Sequence, residues 1–275
     1  MKIQYYSALL FSILGQKMSL IKSIKKRINR KKIKNQRNYV QNKYINKIFP
    51  ELIVRHGPFS GMEYPLASSV GSSLFPKLLG SYESELSDIM GEICNKDYTS
   101  IVDIGCAEGY YATGLALKIK SAHVYAFDVN EKARNLCSQM FENNMIDSQR
   151  YTIDSFCSKE TLVNLDFGKK GLVFCDCEGY EKELFDESNL DVLKNHDLLI
   201  ETHDCFDINI STYLYDLFKD THTITVIESI DDIQKAKKYN YDEINDCSLE
   251  EKYILLREGR RTIMEWFYLE SKANV

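Results

Sequence analysis

Several features are missing from this sequence, and each absence excludes a class of protein. Its eight cysteines form no Cys-x-x-Cys pair, which excludes the common zinc-finger and thioredoxin patterns. We expect reduced thiols, as in a cytoplasmic protein, where structural disulfides are rare. The apolar run from Ala8 to Gly15 is shorter than the roughly 20 residues that cross a bilayer, and it lacks the cleavage site of a secretory signal.

Acidic residues are absent from residues 1–50, which carry 13 of the 35 lysines and arginines. The rest of the chain holds the other 22 basic groups against all 40 acidic groups. From Met18, an alternative start, leucine and isoleucine recur three or four residues apart between basic residues, which is typical of a basic amphipathic helix. We predict a peripheral contact of residues 18–48 with anionic membrane at the inner membrane face. The alternative is a soluble, disordered arm.

Short apolar segments alternate with helical patterns after residue 97. The predicted strands are Thr99–Ile104, Ala122–Asp128, Tyr151–Phe156, Gly171–Asp176, Asp197–Thr202, His222–Glu228 and Thr262–Leu269. The predicted helices are Pro76–Cys94, Tyr110–Ile119, Asn130–Asn143, Glu181–Phe185, Ser211–Phe218 and Leu249–Arg257. This alternation predicts an α/β fold with a doubly wound, mostly parallel seven-stranded sheet, Rossmann-like and covered on both faces. A basic N-terminal helical extension (1–50) and a cap segment (51–96) precede this domain (97–275).

A glycine turn follows the first predicted strand, from Gly105 to Gly109. A dinucleotide-binding turn would carry a glycine where this chain has Ala107, and Asp103 would repel a diphosphate. Asp128, 19 residues past Gly109, has the position of an acid that binds ribose hydroxyls. The combination favours an adenosine with a positively charged, phosphate-free group, and S-adenosylmethionine is such a molecule.

Three further residues are predicted to contact this cofactor. Cys106 and Tyr110 lie in or beside the glycine turn, and packing on a helix face is the alternative for the following Tyr111. Asp154, near the third strand, is predicted to bind the adenine amino group.

Two neighbouring strands end in acids. Asp176 and Glu178 follow the fourth strand, and Glu201 and His203 end the fifth. Ligands of doubly wound sheets bind at the carboxyl ends of the strands, so we expect these side chains to face a pocket. His203 is our first choice of general base because an imidazole titrates at a pH of about 6.5, and Asp176 or Glu178 is the second. The alternative role for His203 is a hydrogen bond to a loop carbonyl. Cys175 is expected in the core of the fourth strand.

The four residues could instead hold a divalent ion. Carboxylate oxygens favour Mg²⁺ or Mn²⁺, which would lower the pKa of a substrate hydroxyl. We take a metal-free site as the default.

Two stretches resemble a known family. "VDIGCAEGYYATGLA" resembles motif I of class I S-adenosylmethionine-dependent methyltransferases, and its Gly-Tyr-Tyr continuation is similar to the FkbM family. "CDCEGYEKELF" resembles that family's Asp-x-Glu-Gly-x-Glu motif, and "LLIETHD" resembles its fifth strand. The resemblance covers roughly residues 55–270 and implies a methyltransferase domain with S-adenosylmethionine as cofactor. Members often carry Gly-Ala-Asn-x-Gly, whereas Ala107 replaces the asparagine here and removes one loop hydrogen bond.

We therefore predict an O-methyltransferase that acts on a hydroxyl of a small molecule, sugar or glycan intermediate. No proline follows Pro76, which excludes the Asp/Asn-Pro-Pro-aromatic motif of base-amine methyltransferases and the Pro-Cys nucleophile of cytosine-C5 enzymes, so DNA is not expected as a partner. One alternative is a non-catalytic module that binds a ligand or tethers a partner to a membrane. Another is an RNA 2′-O-methyltransferase, which the acidic body of the chain disfavours. Candidates for acceptor contacts are Lys77, Tyr82 and Glu83.

Overall fold

The computed structural model describes residues 25, 27–28, 31–32, 35–260 and 262–274. The chain divides into two compact units, Met1–Ile48 and Phe49–Val275. In the first unit, residues 35–48 form a continuous helix, α1. The apolar run at Ala8–Gly15 and most of the amphipathic pattern after Met18 lie outside the described residues. No helix in the described part of the chain is both long enough and apolar enough to cross a membrane.

A seven-stranded sheet forms the centre of the second unit. Its strands are β1 (Ser100–Ile104), β2 (His123–Phe127), β3 (Tyr151–Asp154), β4 (Gly171–Cys175), β5 (Asp197–Thr202), β6 (His222–Glu228) and β7 (Glu265–Ser271). Their order is β3-β2-β1-β4-β5-β7-β6. The first five strands are parallel, and β7 runs antiparallel to both β5 and β6. The predicted doubly wound, mostly parallel, Rossmann-like fold is confirmed.

Helices occupy the intervals between the strands. They are α2 (Leu74–Leu79), α3 (Ser87–Cys94), α4 (Tyr110–Lys118), α5 (Glu131–Asn143), α6 (Lys159–Asn164), α7 (Glu181–Leu184), α8 (Glu187–Leu193), α9 (Ile210–Phe218), α10 (Asp232–Lys238) and α11 (Leu249–Leu256). Of these, α6, α8 and α10 were not predicted from the sequence. Each has only six or seven residues, too few to show a clear apolar period.

Side chains alternate between the two faces of the sheet. Val173 of β4 belongs to a buried cluster that also contains Leu162 of α6 and Leu214 of α9. The next residue, Phe174, contacts Tyr111 of α4 with 4.2 Å between ring centroids. Because successive strand residues point to opposite faces, these contacts show that helices cover both faces.

The cap segment contains a break that the sequence analysis missed. The single helix predicted from Pro76 to Cys94 is wrong, because α2 ends at Leu79, is capped by Gly80, and α3 begins only at Ser87. Gly80 has a φ of 84°, and a Cβ there would lie 2.0 Å from the carbonyl oxygen of His56. Only glycine fits this left-handed position against another segment's backbone.

Candidate active site

One large cavity opens at the carboxyl ends of β1, β2, β4 and β5. Its volume is about 550 Å³, within the range of small-molecule sites. It runs from the glycine turn after β1 to the acids after β4 and β5, and the cap segment and residues 258–260 contribute to its wall. A parallel sheet places ligand sites at this edge, so the position agrees with the prediction.

The glycine turn is fixed by backbone contacts with two other strands. The N–H groups of Gly105 and Cys106 both donate to the carbonyl oxygen of Phe127, at 2.8 and 3.0 Å. Gly105 has a φ of 88°, and a Cβ there would lie 1.8 Å from the carbonyl oxygen of Asp176. The turn is therefore in close contact with the ends of both β2 and β4, and a side chain at position 105 would not fit.

Asp128 is held in place by two backbone amides. Its Oδ2 accepts from Ala107 at 2.9 Å, and its Oδ1 accepts from Asn130 at 2.7 Å. Ala107 has a φ of 48°, a left-handed conformation that asparagine adopts more readily than alanine. This explains why an asparagine suits the position in the family that the chain resembles. Each carboxylate oxygen of Asp128 keeps a second acceptor position for a ligand.

Asp103 is a buried acid that the Ala112 N–H approaches without forming a close hydrogen bond. Its side chain is 1% exposed and lines the cavity, and neither oxygen has a partner among the described residues. Burial raises the pKa of Asp103 to about 7, and the nearby Ala112 amide offsets this only in part. Such a carboxylate is expected where a positively charged ligand supplies the missing partner.

The other predicted cofactor residues differ in position. Cys106 and Tyr110 line the cavity as predicted, whereas Gly109 does not. Gly109 has a φ of 92° and packs against Cys137, whose Sγ would lie 2.8 Å from a Cβ at this position.

Asp154 is not brought to the cavity. It is exposed, and its Oδ1 accepts from the N–H of Ser155 at 2.6 Å. The cavity wall beside β3 consists instead of Ser155, Phe156 and Cys157. The structure therefore does not bring Asp154 to the cavity, and its predicted contact with the adenine amino group has no structural support.

The four acid/base residues predicted from the sequence lie together. His203 is 3% exposed. Its Nε2 lies 3.4 Å from Glu201 Oε2, 3.5 Å from Asp176 Oδ1 and 3.8 Å from Glu178 Oε2. We call Asp176, Glu178, Glu201 and His203 the acidic cluster. It faces the same cavity as the glycine turn.

Glu181 orients His203 and was missed in the sequence analysis. Its Oε1 lies 2.6 Å from Nδ1 of His203 and also accepts from the N–H of Gly179. This partner is a carboxylate, not the loop carbonyl of the alternative considered above. Burial lowers the pKa of His203, but the carboxylates of Glu181 and Glu201 together raise it by more. The pKa therefore lies above its usual value. The signal was present in the sequence, because Glu181 is the third acid of the Asp-x-Glu-Gly-x-Glu stretch.

Arg260 is the second residue that the sequence analysis missed. Its guanidinium donates to Glu201, to Glu83 at 2.8 Å and to Glu258 at 3.2 Å. Burial raises the pKa of Glu201, and Arg260 lowers it by less. Glu83 also accepts from the hydroxyl of Tyr111. Arg260 thus joins the cap segment, β5 and the segment before β7 around the acidic cluster.

Asp176 carries the least satisfied carboxylate of the acidic cluster. Its Oδ1 has no hydrogen-bond partner among the described residues. Burial raises its pKa well above the usual value, and the charges of Glu201 and Glu83 raise it further. A carboxylate with a raised pKa is a stronger base than an ordinary one, which makes Asp176 a candidate proton acceptor.

Two of the three candidates for acceptor contacts already have partners in the protein. Lys77 forms a buried ion pair with Glu108 at 2.6 Å, and its ammonium lies 4.8 Å from the ring centroid of Tyr82. Burial would raise the pKa of Glu108, but Lys77 lowers it below its usual value. Glu83 is bound to Arg260. Tyr82 lines the cavity beside both.

Comparisons with known proteins agree on the fold only. The sequence matches no protein-family description and no curated protein. Among solved structures, the human methyltransferase 10 domain containing protein is 10% identical, with 85% of this chain and 97% of that chain covered and a TM-score of 0.48. Precorrin-6y C5,15-methyltransferase from Geobacter metallireducens is 10% identical, with 67% and 89% covered and a TM-score of 0.43. Likenesses at this distance say nothing about the substrate.

Proposed function

We propose that this protein is an S-adenosylmethionine-dependent methyltransferase that methylates a hydroxyl of a small molecule, sugar or glycan intermediate. One observation carries the proposal: a single cavity connects the glycine turn and the unpartnered Asp103 to the acidic cluster. A cation-binding end and a proton-accepting end in one cavity fit the transfer of a methyl group to a hydroxyl. The resemblance of both motifs to the FkbM family supports the same reaction.

The residues of the turn fit the cofactor. Asp103 offers a buried negative charge to its cationic end, and Asp128 offers two fixed acceptors to the ribose hydroxyls. Gly105 lines the cavity with its backbone alone, and the turn lies close against the backbone of Asp176. S-adenosylmethionine supplies a methyl carbon that its sulfonium activates.

The acidic cluster suits a hydroxyl acceptor. A hydroxyl has a pKa far above 7 and must lose its proton as it attacks carbon. The carboxylates around His203 can receive that proton, and Arg260 offsets part of the negative charge that they carry beforehand. Most of the acceleration would come from alignment of the reactants in a pocket that excludes water.

The charge of the cavity restricts the acceptor. Asp103, Asp176, Glu178 and Glu201 all line it, and Arg260 pairs with Glu201 rather than standing free. A phosphorylated acceptor would be repelled, so we favour a neutral hydroxyl compound over RNA. The need of Asp103 for a cationic partner also argues against a module that only tethers a partner, because such a module binds no cofactor.

Calorimetric titration with S-adenosylmethionine and S-adenosylhomocysteine tests the proposal. We expect micromolar affinity, about −8 kcal/mol. Asp128→Ala should weaken it at least about tenfold because hydrogen bonds to a charged group are lost. Asp216→Ala, which removes an exposed acid of α9, is the control and should bind normally. A screen of hydroxyl compounds for S-adenosylhomocysteine release then identifies the acceptor. Absence of binding by the folded protein would disprove the proposal.

A further inference from the structure

We propose that Asp176, Glu178 and His203 bind a divalent transition-metal ion, contrary to the metal-free default. These residues come from two loops, one after β4 and one after β5. One oxygen of each carboxylate and one ring nitrogen of His203 lie within 4.8 Å of one another. All three residues line the cavity, so an ion among them would be open to a substrate on one side.

The distances suit a common ion. Two ligands of an octahedral ion with bonds of about 2.1 Å are roughly 3.0 Å apart when adjacent and roughly 4.2 Å apart when opposite. His203 Nε2 lies 3.5 Å from Asp176 Oδ1 and 3.8 Å from Glu178 Oε2, so shifts of less than about 1 Å in the two carboxylates would bring both to the adjacent spacing. The atoms are too far apart for good hydrogen bonds but near enough to share one ion.

His203 gives a second, independent observation. His203 is 3% exposed, and its Nε2 lies among three carboxylate oxygens at 3.4, 3.5 and 3.8 Å, none of them close enough for a strong hydrogen bond. Its Nδ1 is held by the fully buried Glu181 at 2.6 Å. A carboxylate that holds one nitrogen of a histidine while the other faces an ion is the usual support of a metal-binding histidine.

Charge also favours an ion here. Asp176, Glu178, Glu181 and Glu201 all lie within 4 Å of the His203 ring nitrogens. Arg260 pairs with Glu201 but makes no ion pair with the other three carboxylates. Asp176 Oδ1 has no hydrogen-bond partner among the described residues. A divalent ion would offset this excess negative charge and satisfy that oxygen.

The ligand set indicates the kind of metal. Mg²⁺ prefers oxygen ligands only and keeps most of its waters, whereas an imidazole suits Mn²⁺, Fe²⁺ and later ions. Two carboxylates and one imidazole therefore favour a transition ion such as Mn²⁺ over Mg²⁺. A bound ion would lower the pKa of a hydroxyl that coordinates to it. That role rests on the proposed function, whereas binding of the ion does not.

Titration of the chelator-treated full-length protein with Mn²⁺, followed by electron paramagnetic resonance, tests the proposal. We expect one Mn²⁺ per chain, held more tightly than Mg²⁺. Glu178→Gln removes a ligand charge from an exposed side chain that folding does not need, and it should weaken binding at least about tenfold. Glu181→Gln acts through His203 and should weaken it about 10- to 100-fold. Glu183→Gln, an exposed acid in the same helix α7, is the control and should bind Mn²⁺ normally.

Two results would overturn the proposal. One is that the folded wild type does not bind Mn²⁺, and the other is that Glu178→Gln and Glu181→Gln both bind it with unchanged affinity. Titration with S-adenosylmethionine on the same preparations separates this proposal from the function. Cofactor binding without Mn²⁺ binding disproves only the metal site, and the reverse result disproves only the proposed function.

Discussion

The two ends of the cavity are built in different ways. The cofactor end is mostly backbone: Gly105 and Ala107 adopt left-handed conformations, and one turn of a few residues shapes it. The acidic end consists of side chains from segments far apart in the chain, including Glu83, Glu201 and Arg260. A short local sequence therefore determines the backbone site at the cofactor end, whereas the side-chain cluster at the acidic end depends on the topology of the whole sheet.

His203 offers the largest test of this comparison. If the acidic end acts in chemistry and the turn in binding, His203→Gln should slow methyl transfer about 100- to 10,000-fold. Affinity for S-adenosylmethionine should stay within about twofold. Rates are measured with the acceptor from the screen, and affinities by calorimetry. His56→Gln, which changes an exposed histidine, is the control. Equal losses in rate and affinity would show that the two ends are not separable.

Gly105 tests the backbone end through stability. Gly105→Ala places a Cβ 1.8 Å from a carbonyl oxygen at a φ of 88° and should lower the free energy of unfolding by more than about 3 kcal/mol. Gly61→Ala is the matched control, since Gly61 has a φ of 92° with nothing near its Cβ position. It should cost only about 1 to 2 kcal/mol. Denaturant unfolding measures both, and equal losses would show that the contact with β4 contributes nothing.

Lys77 tests the ion pair that joins the cap segment to the glycine turn. Lys77→Met leaves the buried Glu108 without its cation and should destabilise the protein by about 3 kcal/mol. Lys118→Met, at an exposed position of α4, should change stability by less than about 0.5 kcal/mol. Denaturant unfolding compares the two. A Lys77→Met protein as stable as the control would mean that the backbone and hydroxyl donors around Glu108 suffice.

The smallest expected effect is a pH dependence of the affinity for S-adenosylmethionine, which Asp103 should cause. Its pKa is raised to about 7, above an unfolded value of about 3.9, so its charge appears in the folded protein only as the pH rises through about 7. Affinity for the cationic S-adenosylmethionine should be about tenfold weaker at pH 6 than at pH 8. S-adenosylhomocysteine, which lacks the sulfonium, should depend less on pH. Calorimetry at both values checks this, and a dependence that persists in Asp103→Asn would contradict it.

The sequence predicted the sheet well because apolar strands are a local signal. All seven strands lie within three residues of their predicted limits. The break at Gly80 could not be predicted, since it depends on a contact with His56, 24 residues earlier. The antiparallel pairing of β7 with β5 also depends on contacts between distant segments.

The candidate site shows the same division. Asp103, Gly105 and Asp128 were found because their spacing along the chain is characteristic, and Glu201 and His203 because they end a strand. Arg260 could not be found in this way, because it lies in a loop and reaches Glu201 only after β7 has paired with β5. Asp154 was chosen for its strand position, but its side chain turns toward the adjacent Ser155.

The position of β7 affects the order in which the protein can be made. During synthesis β6 leaves the ribosome before β7, yet in the described sheet β6 pairs only with β7. A growing chain therefore exposes an unpaired edge on both β5 and β6 until the segment at Glu265–Ser271 arrives. Arg260 arrives just before that segment, so the carboxylates of Glu83 and Glu201 also lack their cation until then. A nascent chain that lacks the β7 segment should be prone to aggregation and unable to form the acidic end of the cavity.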